Sequence, residues 1–274
     1  MFSPSHGEAT AWPGLRAIRT RLFAGETGVV VCCAPMSARF SRYLLRTTDV
    51  GAATAFYDAV LEGRGDGIVA LHESALARGA RPHWLGHIGV RELGGSELLA
   101  TRFVERGATR LGPPPGTGDF AVLRDPGGAI VALTSSATGS SSSVVWHQLN
   151  TSDPVEAAGN YSALFGWSFT AKFDLGQLGR HQKFGFGAGE SSVGLLSDVE
   201  GRPEVHTHWL FFFAVPSLDV AVDRVRKHGG TVSGPIELPN GIRVAACDDA
   251  QGAAFGIIQP EDAARLANED PGAG

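Results

Sequence analysis

"YLLRTTDVGAATAFYDAVLEG" (43–63) and "HQLNTSDPVEAAGNYSALFGW" (147–167) follow one plan. Each passes through Thr-x-Asp into a helical spacing that ends in an aromatic-containing segment. Asp49 and Asp153 align at an offset of 104 residues. A second echo, "HWLGHIGV" (83–90) and "HWLFFFAV" (208–215), aligns at 125, so the first copy is 21 residues shorter between these anchors. The copies also close alike, as "FAVLRDPGGAIVALT" (120–134) and "RVAACDDAQGAAFGII" (243–258). Self-similarity on this scale means one supersecondary unit used repeatedly.

The second copy is the more legible. "VVWHQLN" (144–150) suits a pleated surface. Asp153 is a helix cap, Pro154 fits the first helical position and Glu156 completes a capping-box spacing. Ala158, Tyr161, Leu164 and Phe165 then form an apolar helical face, and Gly166 stops it. The plan recurs after "WLFFFAV" (209–215). Ser217 caps a stripe of Leu218, Ala221, Val222 and Val225, which Arg226, Lys227 and His228 finish before Gly229. "SFTAKF" (168–173), "SSVGLLS" (191–197), "TVSGPIEL" (231–238), "IRVAACD" (242–248) and "AAFGIIQ" (253–259) read as strands.

Composition bounds the rest. At 274 residues, 43% hydrophobic and 19% charged, the chain has material for two globular cores. A net charge of −5 without a basic aromatic stripe gives no footprint for nucleic acid, and no apolar run is long enough to cross a bilayer. Cys32, Cys33 and Cys247 make no disulfide framework, which points to a reducing cytoplasm. Residues 1–38 show no period and read as an unstructured leader, with Met36 an alternative translation start. The first domain is expected over 39–135, a Ser/Gly linker over 136–143, the second domain over 144–262 and a flexible tail over 263–274.

Strand–helix–three strands, performed twice per copy, resembles the vicinal oxygen chelate superfamily of glyoxalase I, bleomycin-resistance proteins and extradiol dioxygenases. The pieces that carry the likeness are "TSDPVEAAGNYSALFGW", "FFFAVPSLDVAVDRVRKHGG" and "DDAQGAAFGII". The resemblance covers roughly residues 40–260 and is to the two-domain glyoxalase-like branch. It implies an α+β fold of four βαβββ modules paired into two glyoxalase-like domains, with curved sheets around a cavity and helices outside. The first module is the shortened one and is expected to lack a hairpin.

The resemblance also implies where metal-using relatives take their ligands: at or near Trp146, Gly194, Leu210 and Gly256 in the second copy, and Arg42, Ala70, Leu85 and Ala132 in the first. None suits a divalent ion, which needs imidazole or carboxylate. His147 stands one residue out of register, facing the helix side, because strand side chains alternate. The reading is therefore no metal and no cofactor.

In place of a metal the second copy offers a hollow lined by Trp146, Gln148, Asn150, Leu210 and Phe212, opened by Gly194 and Gly256, with Trp167 and Arg243 at its rim. In the first copy Arg42 and Arg46 replace Trp146 and Asn150, and His87 replaces Phe212. These three could hold an acidic group, or pair with Asp66 or Glu73 while the domain braces its sibling. The leading function is a metal-independent binding protein that sequesters a planar aromatic natural product, for antibiotic self-resistance or beside a biosynthetic tailoring oxygenase. The two-domain layout is similar to that of drug-binding auxiliary proteins of anthracycline-type pathways. The alternative is a metal-free isomerase, cyclase or lyase in secondary metabolism using His87, His147 or Tyr161 as acid or base. A protein-interaction scaffold is a third reading. Monomer and homodimer both stay open.

Overall fold

The computed structural model describes residues 37–63, 67–136 and 143–269. The expected leader up to residue 36, the linker residues 137–142 and Asp66 lie outside them. Residues 37 and 38, counted with the expected leader, are described. Ala38 is buried, its N–H donates to the Phe165 carbonyl, and its own carbonyl accepts from the Trp167 indole at 2.7 Å.

The first copy runs β1 (Arg39–Thr47), α1 (Val50–Leu61), β2 (Ile68–Ala70), α2 (Glu73–Leu76), β3 (His83–Gly89), α3 (Ser96–Glu105), β4 (Thr109–Gly112), β5 (Phe120–Arg124) and β6 (Ile130–Thr134). The second runs β7 (Val144–Thr151), α4 (Pro154–Phe165), β8 (Ser168–Asp174), β9 (Arg180–Gly185), β10 (Gly194–Asp198), β11 (His208–Ala214), α5 (Leu218–Lys227), β12 (Thr231–Glu237), β13 (Arg243–Asp248), β14 (Ala254–Ile258) and α6 (Pro260–Asn268). No described helix is long and apolar enough to cross a membrane.

The repeated Asp does the same work twice. Asp49 accepts from the Ala52 N–H and Asp153 from the Glu156 N–H, each satisfying an orphan donor of the first helical turn. Gly166 ends α4 at φ 73°, a left-handed conformation that glycine adopts without a Cβ penalty.

Sheet A has six strands in the order β2-β1-β3-β6-β5-β4, and sheet B has eight, β12-β13-β14-β11-β7-β10-β9-β8. Each contains the corresponding antiparallel pair, β1–β3 or β7–β11. Beside β7 the hairpin β8–β9 leads to β10. Beside β1 the single strand β2 stands where β10 would, and that is where the 21 residues are missing.

One core joins the copies. The sheets meet at their centres, where the Trp84 and Phe213 rings lie 4.8 Å apart and Phe40 stacks on His147 at 5.0 Å. Helix α1 packs on α5 and α3 on α4, one helix from each copy in each pair. Their buried faces, Ala53, Phe56, Tyr57 and Val60 in α1 and Leu218, Ala221, Val222 and Val225 in α5, close the same apolar cluster. Burying each large side chain of this kind contributes about 1.5–3 kcal/mol.

Two matching hydrogen-bond relays cross that core. The Trp84 indole donates to the Tyr57 hydroxyl at 2.9 Å, which donates to Asp249 at 3.1 Å. The Trp209 indole donates to Tyr161 at 3.1 Å, which donates to Asp125 at 3.2 Å. In each relay the Trp and Tyr belong to one copy and the Asp to the closing turn of the other. Each Asp also fixes its own turn, through the Ala129 or the Ala253 N–H. Removing the Tyr161 hydroxyl strands both a buried indole N–H and a buried carboxylate. Tyr161→Phe is expected to lower unfolding free energy by about 1–3 kcal/mol in a urea titration. A loss below a few tenths would show that water replaces the relay.

Candidate ligand site

Cross-strand pairing sets which side chains share a face, because directly opposed residues point the same way. On β1–β3 the successive rungs are Arg42–His87, Leu44–Leu85 and Arg46–His83. On β7–β11 they are Trp146–Phe212, Gln148–Leu210 and Asn150–His208. The rungs correspond one to one at the offsets of 104 and 125. All lie on the face turned away from the shared core, because Tyr43, Leu45, Trp84 and Ile88, like Leu149, Trp209 and Phe211, pack into that core.

The outer face of sheet B is occupied by the chain itself. Trp146, at 2% exposure, packs with Leu195, Leu210, Phe212, Ile242 and Ile258 against Ala263 and Leu266 of α6. The flexible tail expected from residue 263 is instead helical to Asn268. The buried Lys183 ammonium donates to the Glu269 carbonyl at the helix's end, where a cation meets the negative pole of the dipole. Arg265 ties the same turn to the Asn240 carbonyl. Thus Trp146, Leu210 and Phe212 face the expected side, but α6 fills the hollow they were to line. Gly256 opens no space either, since a Cβ there would lie 2.3 Å from the Phe212 ring. Gln148 donates to Asn150, whose amide meets His208, so this end of the face is internally satisfied.

Three expected positions lie elsewhere. Gly194 is opposite Phe184 and beside His147 in register, so it faces the shared core; Leu195 is the outward residue of β10. On that strand the outward position lies one residue beyond the expected one. Trp167 is inside the core, stacked on Phe184 and Tyr161 with both centroid distances 5.1 Å. Arg243 alternates with the outward Val244 and forms a paired ion contact with Asp219 of α5.

His147 also belongs to the core. Its Nδ1 donates to the Val193 carbonyl at 2.8 Å, leaving Nε2 to accept from the Tyr43 hydroxyl at 2.6 Å. Burial pushes its pKa down to about 4, partly opposed by the Val193 bond, so the ring is neutral at pH 7. Tyr161 is equally committed to its relay.

The outer face of sheet A is different. Among the described residues no helix corresponding to α6 lies over it, and the polar groups of Arg42, Arg46 and His87 include buried atoms without a partner. His87 is 1% exposed, yet neither ring nitrogen has a hydrogen-bond partner. The Nε atoms of Arg42 and Arg46 are likewise buried without one, and among the described residues neither guanidinium joins an ion pair. Glu73 therefore does not neutralise them. Burial depresses the pKa of Arg46, and the charge of Arg42 depresses it further. Burial, then Arg42 and Arg46, take His87 down to about 3, against an opposing pull from Asp119. Burial lowers His83 too, with Arg46 adding to the effect while a bond to the Arg81 carbonyl resists it. Around these groups Leu44, Leu85, Ala132, Val122 and Phe120 share the face by register; the Phe120 ring lies 6.1 Å from His87.

A divalent metal does not fit this donor set. His87 and His83 lie on rungs with two arginines, whose positive charge disfavours a cation, and no group of three His, Cys, Asp or Glu that could hold an ion occurs among the described residues.

Comparison with known proteins agrees with the architecture. The family model described as Glyoxalase/Bleomycin resistance protein/Dioxygenase superfamily matches residues 143–257. The chain thus carries a domain of that superfamily over those residues. The glyoxylase-like protein CFP32 of Mycobacterium bovis and of Mycobacterium tuberculosis is 26% identical over 249 residues, 79% of this chain and 92% of that one. The anthracycline biosynthesis protein DauV of a Streptomyces species is 31% identical over 156 residues, 54% of this chain and 55% of its own length. DnrV of Streptomyces peucetius, another anthracycline biosynthesis protein, is 31% identical over 152 residues, again about half of each chain. Among solved structures the superfamily fold recurs in the 2,3-dioxygenase LapB from Pseudomonas sp. KL28. It has a TM-score of 0.53 at 14% identity, over 82% of this chain and 93% of that one. A catechol 2,3-dioxygenase gives 0.51 at 13%. These two likenesses show the fold alone.

Proposed function

We propose that this protein is a metal-independent binder of a planar aromatic natural product, acting by sequestration, and that the outer face of sheet A is its site. The observation that carries the reading is the contrast between the two sheets. One outer face is sealed by α6 and its own aromatic rings. The other holds a buried imidazole and two arginines with unmatched donors beside Leu44, Leu85, Val122 and Phe120. Buried polar groups are normally paired, and unmatched ones in a natural fold call for an absent partner. The anthracycline biosynthesis relatives favour an aromatic polyketide as that partner; a cytoplasmic role beside tailoring enzymes completes the proposal.

The enzyme alternative loses two of its three acid–base groups. His147 and Tyr161 are bound within the core, which leaves His87 alone. The test uses protein dialysed against chelator. An aromatic polyketide of three or four fused rings should bind saturably in calorimetry and be recovered unchanged by chromatography. Conversion of the polyketide, or binding only after a divalent ion is restored, would overturn the reading.

A further inference from the structure

We infer that Arg42 and Arg46 grip an acidic group on the ligand, a carboxylate or an ionised phenol carried by a flat aromatic body, with His87 as its neutral hydrogen-bonding neighbour. This rests on the small-molecule reading of the same face and names what that molecule must carry.

The first argument is charge. Two guanidinium groups share one face, and among the described residues no carboxylate is paired to either. They are four residues apart on β1, about 13 Å along an extended strand, on rungs of one face that flank the Leu44–Leu85 rung. Like charges brought together beside buried imidazole are unfavourable unless an anion joins them. Arginine's planar fork matches a carboxylate with two parallel bonds, a geometry that lysine would not supply.

The second argument is His87. It is almost wholly buried, and neither nitrogen has a hydrogen-bond partner among the described residues. A neutral imidazole presents one donor and one acceptor, and two adjacent cations keep it from taking a second proton. It therefore suits the oxygen beside the charged one, as in an aromatic acid bearing a neighbouring hydroxyl or carbonyl. The titratable and charged groups turned toward or felt at this imidazole are Arg42, Arg46 and Asp119, with His83 on the next polar rung. Asp119 already holds the Ser136 hydroxyl.

The third argument is the apolar floor. Leu44 and Leu85 form the rung between the two arginine rungs, while Val122, Ala132 and Phe120 extend the surface beyond His87. Leu44, Val122 and Phe120 stay partly exposed, and an aromatic body would spread over them where an anion alone would not. The equivalent rungs of sheet B carry Trp146, Phe212 and Leu210, which α6 covers.

Calorimetric titration of the full chain at pH 7 with 2-naphthoate, its neutral isostere 2-naphthamide, and sodium phosphate tests this. Naphthoate should bind about tenfold or more tightly than naphthamide. Arg42→Gln or Arg46→Gln should remove that preference without weakening naphthamide. Equal binding of acid and amide, insensitive to both variants, would overturn the anion inference while leaving a small-molecule site standing. Phosphate binding without naphthoate binding would also overturn it, because the aromatic body would then count for nothing. No saturable binding of any probe at millimolar concentration would defeat the site itself. Should the variants not fold, the unmodified protein still decides. A bound carboxylate beside His87 should raise the pKa of that imidazole in NMR titration, and an unmoved His87 signal would refute the assignment.

Discussion

Trp146→Ala should lower the stability of the protein by about 3–5 kcal/mol, the range for deleting a buried indole. The indole is 2% exposed, faces Phe212 across the central rung of sheet B and packs in the cluster that contains Ala263 and Leu266 of α6. Its removal leaves a cavity that a helix pinned at Glu269 and Asn240 cannot collapse to fill. At about 2–4 °C per kcal/mol for a protein of this size, calorimetry should show the melting temperature falling by roughly 6–20 °C. Leu266→Ala attacks the same cluster from the helix and should cost about 2–5 kcal/mol. Because both residues belong to one cluster, the double variant should lose less than the sum. Neither change should weaken a ligand held on sheet A. A Trp146→Ala protein of unchanged stability but lost ligand affinity would mean that the face beneath α6 is open and is the true site.

Most of the architecture was legible because the repeat is written in residues with geometric jobs. Asp49 and Asp153 had to cap, and the HWL echo had to pair centrally. The closing "RDPGG" and "DDAQG" turns had to end each copy. The rung-by-rung correspondence of Arg42 with Trp146 and His87 with Phe212 follows from two offsets and strand alternation. What stayed hidden was long-range. Helix α6 carries one large apolar side chain, Leu266, among alanines, too weak a stripe to read as a core element. It is stable because a sheet already lined with aromatic rings receives it, and most helical stability comes from such packing. That the helices of both copies share one core is likewise a tertiary fact, recorded in sequence only as the twice-written Trp, Tyr and Asp of the relays. Gly194 was misplaced because β10 joins β7 in parallel after a hairpin, where no short-range signal fixes register.

Acid should unfold this protein well before its surface carboxylates are fully protonated. Three buried histidines set the response. Burial takes His147 to about 4; burial, against the Leu178 bond, takes His181 to about 4; burial and the two arginines take His87 to about 3. A histidine whose folded pKa lies below its unfolded value contributes stability that is complete above about pH 6.5 and is lost as pH falls. In that window the unfolded chain takes up protons that the folded one refuses. From pH 6.5 to 4 each of the three accounts for on the order of 3 kcal/mol, and together they match the whole stability of an ordinary domain, about 5–15 kcal/mol. Asp125 acts in the opposite sense. Burial raises its pKa, so its contribution is greatest at low pH and is lost as pH rises through the folded value, a partial offset. Urea midpoints measured from pH 8 to 4 should therefore hold above about pH 6.5 and fall steeply below it. His87→Leu isolates one proton cleanly, since His87 surrenders no hydrogen bond when replaced. The variant should match the parent or exceed it at pH 5, with a pH slope shallower by about one proton. An unchanged slope would mean that the folded protein already protonates His87 in this range, and an imidazolium could not sit between Arg42 and Arg46 without an anion beside it.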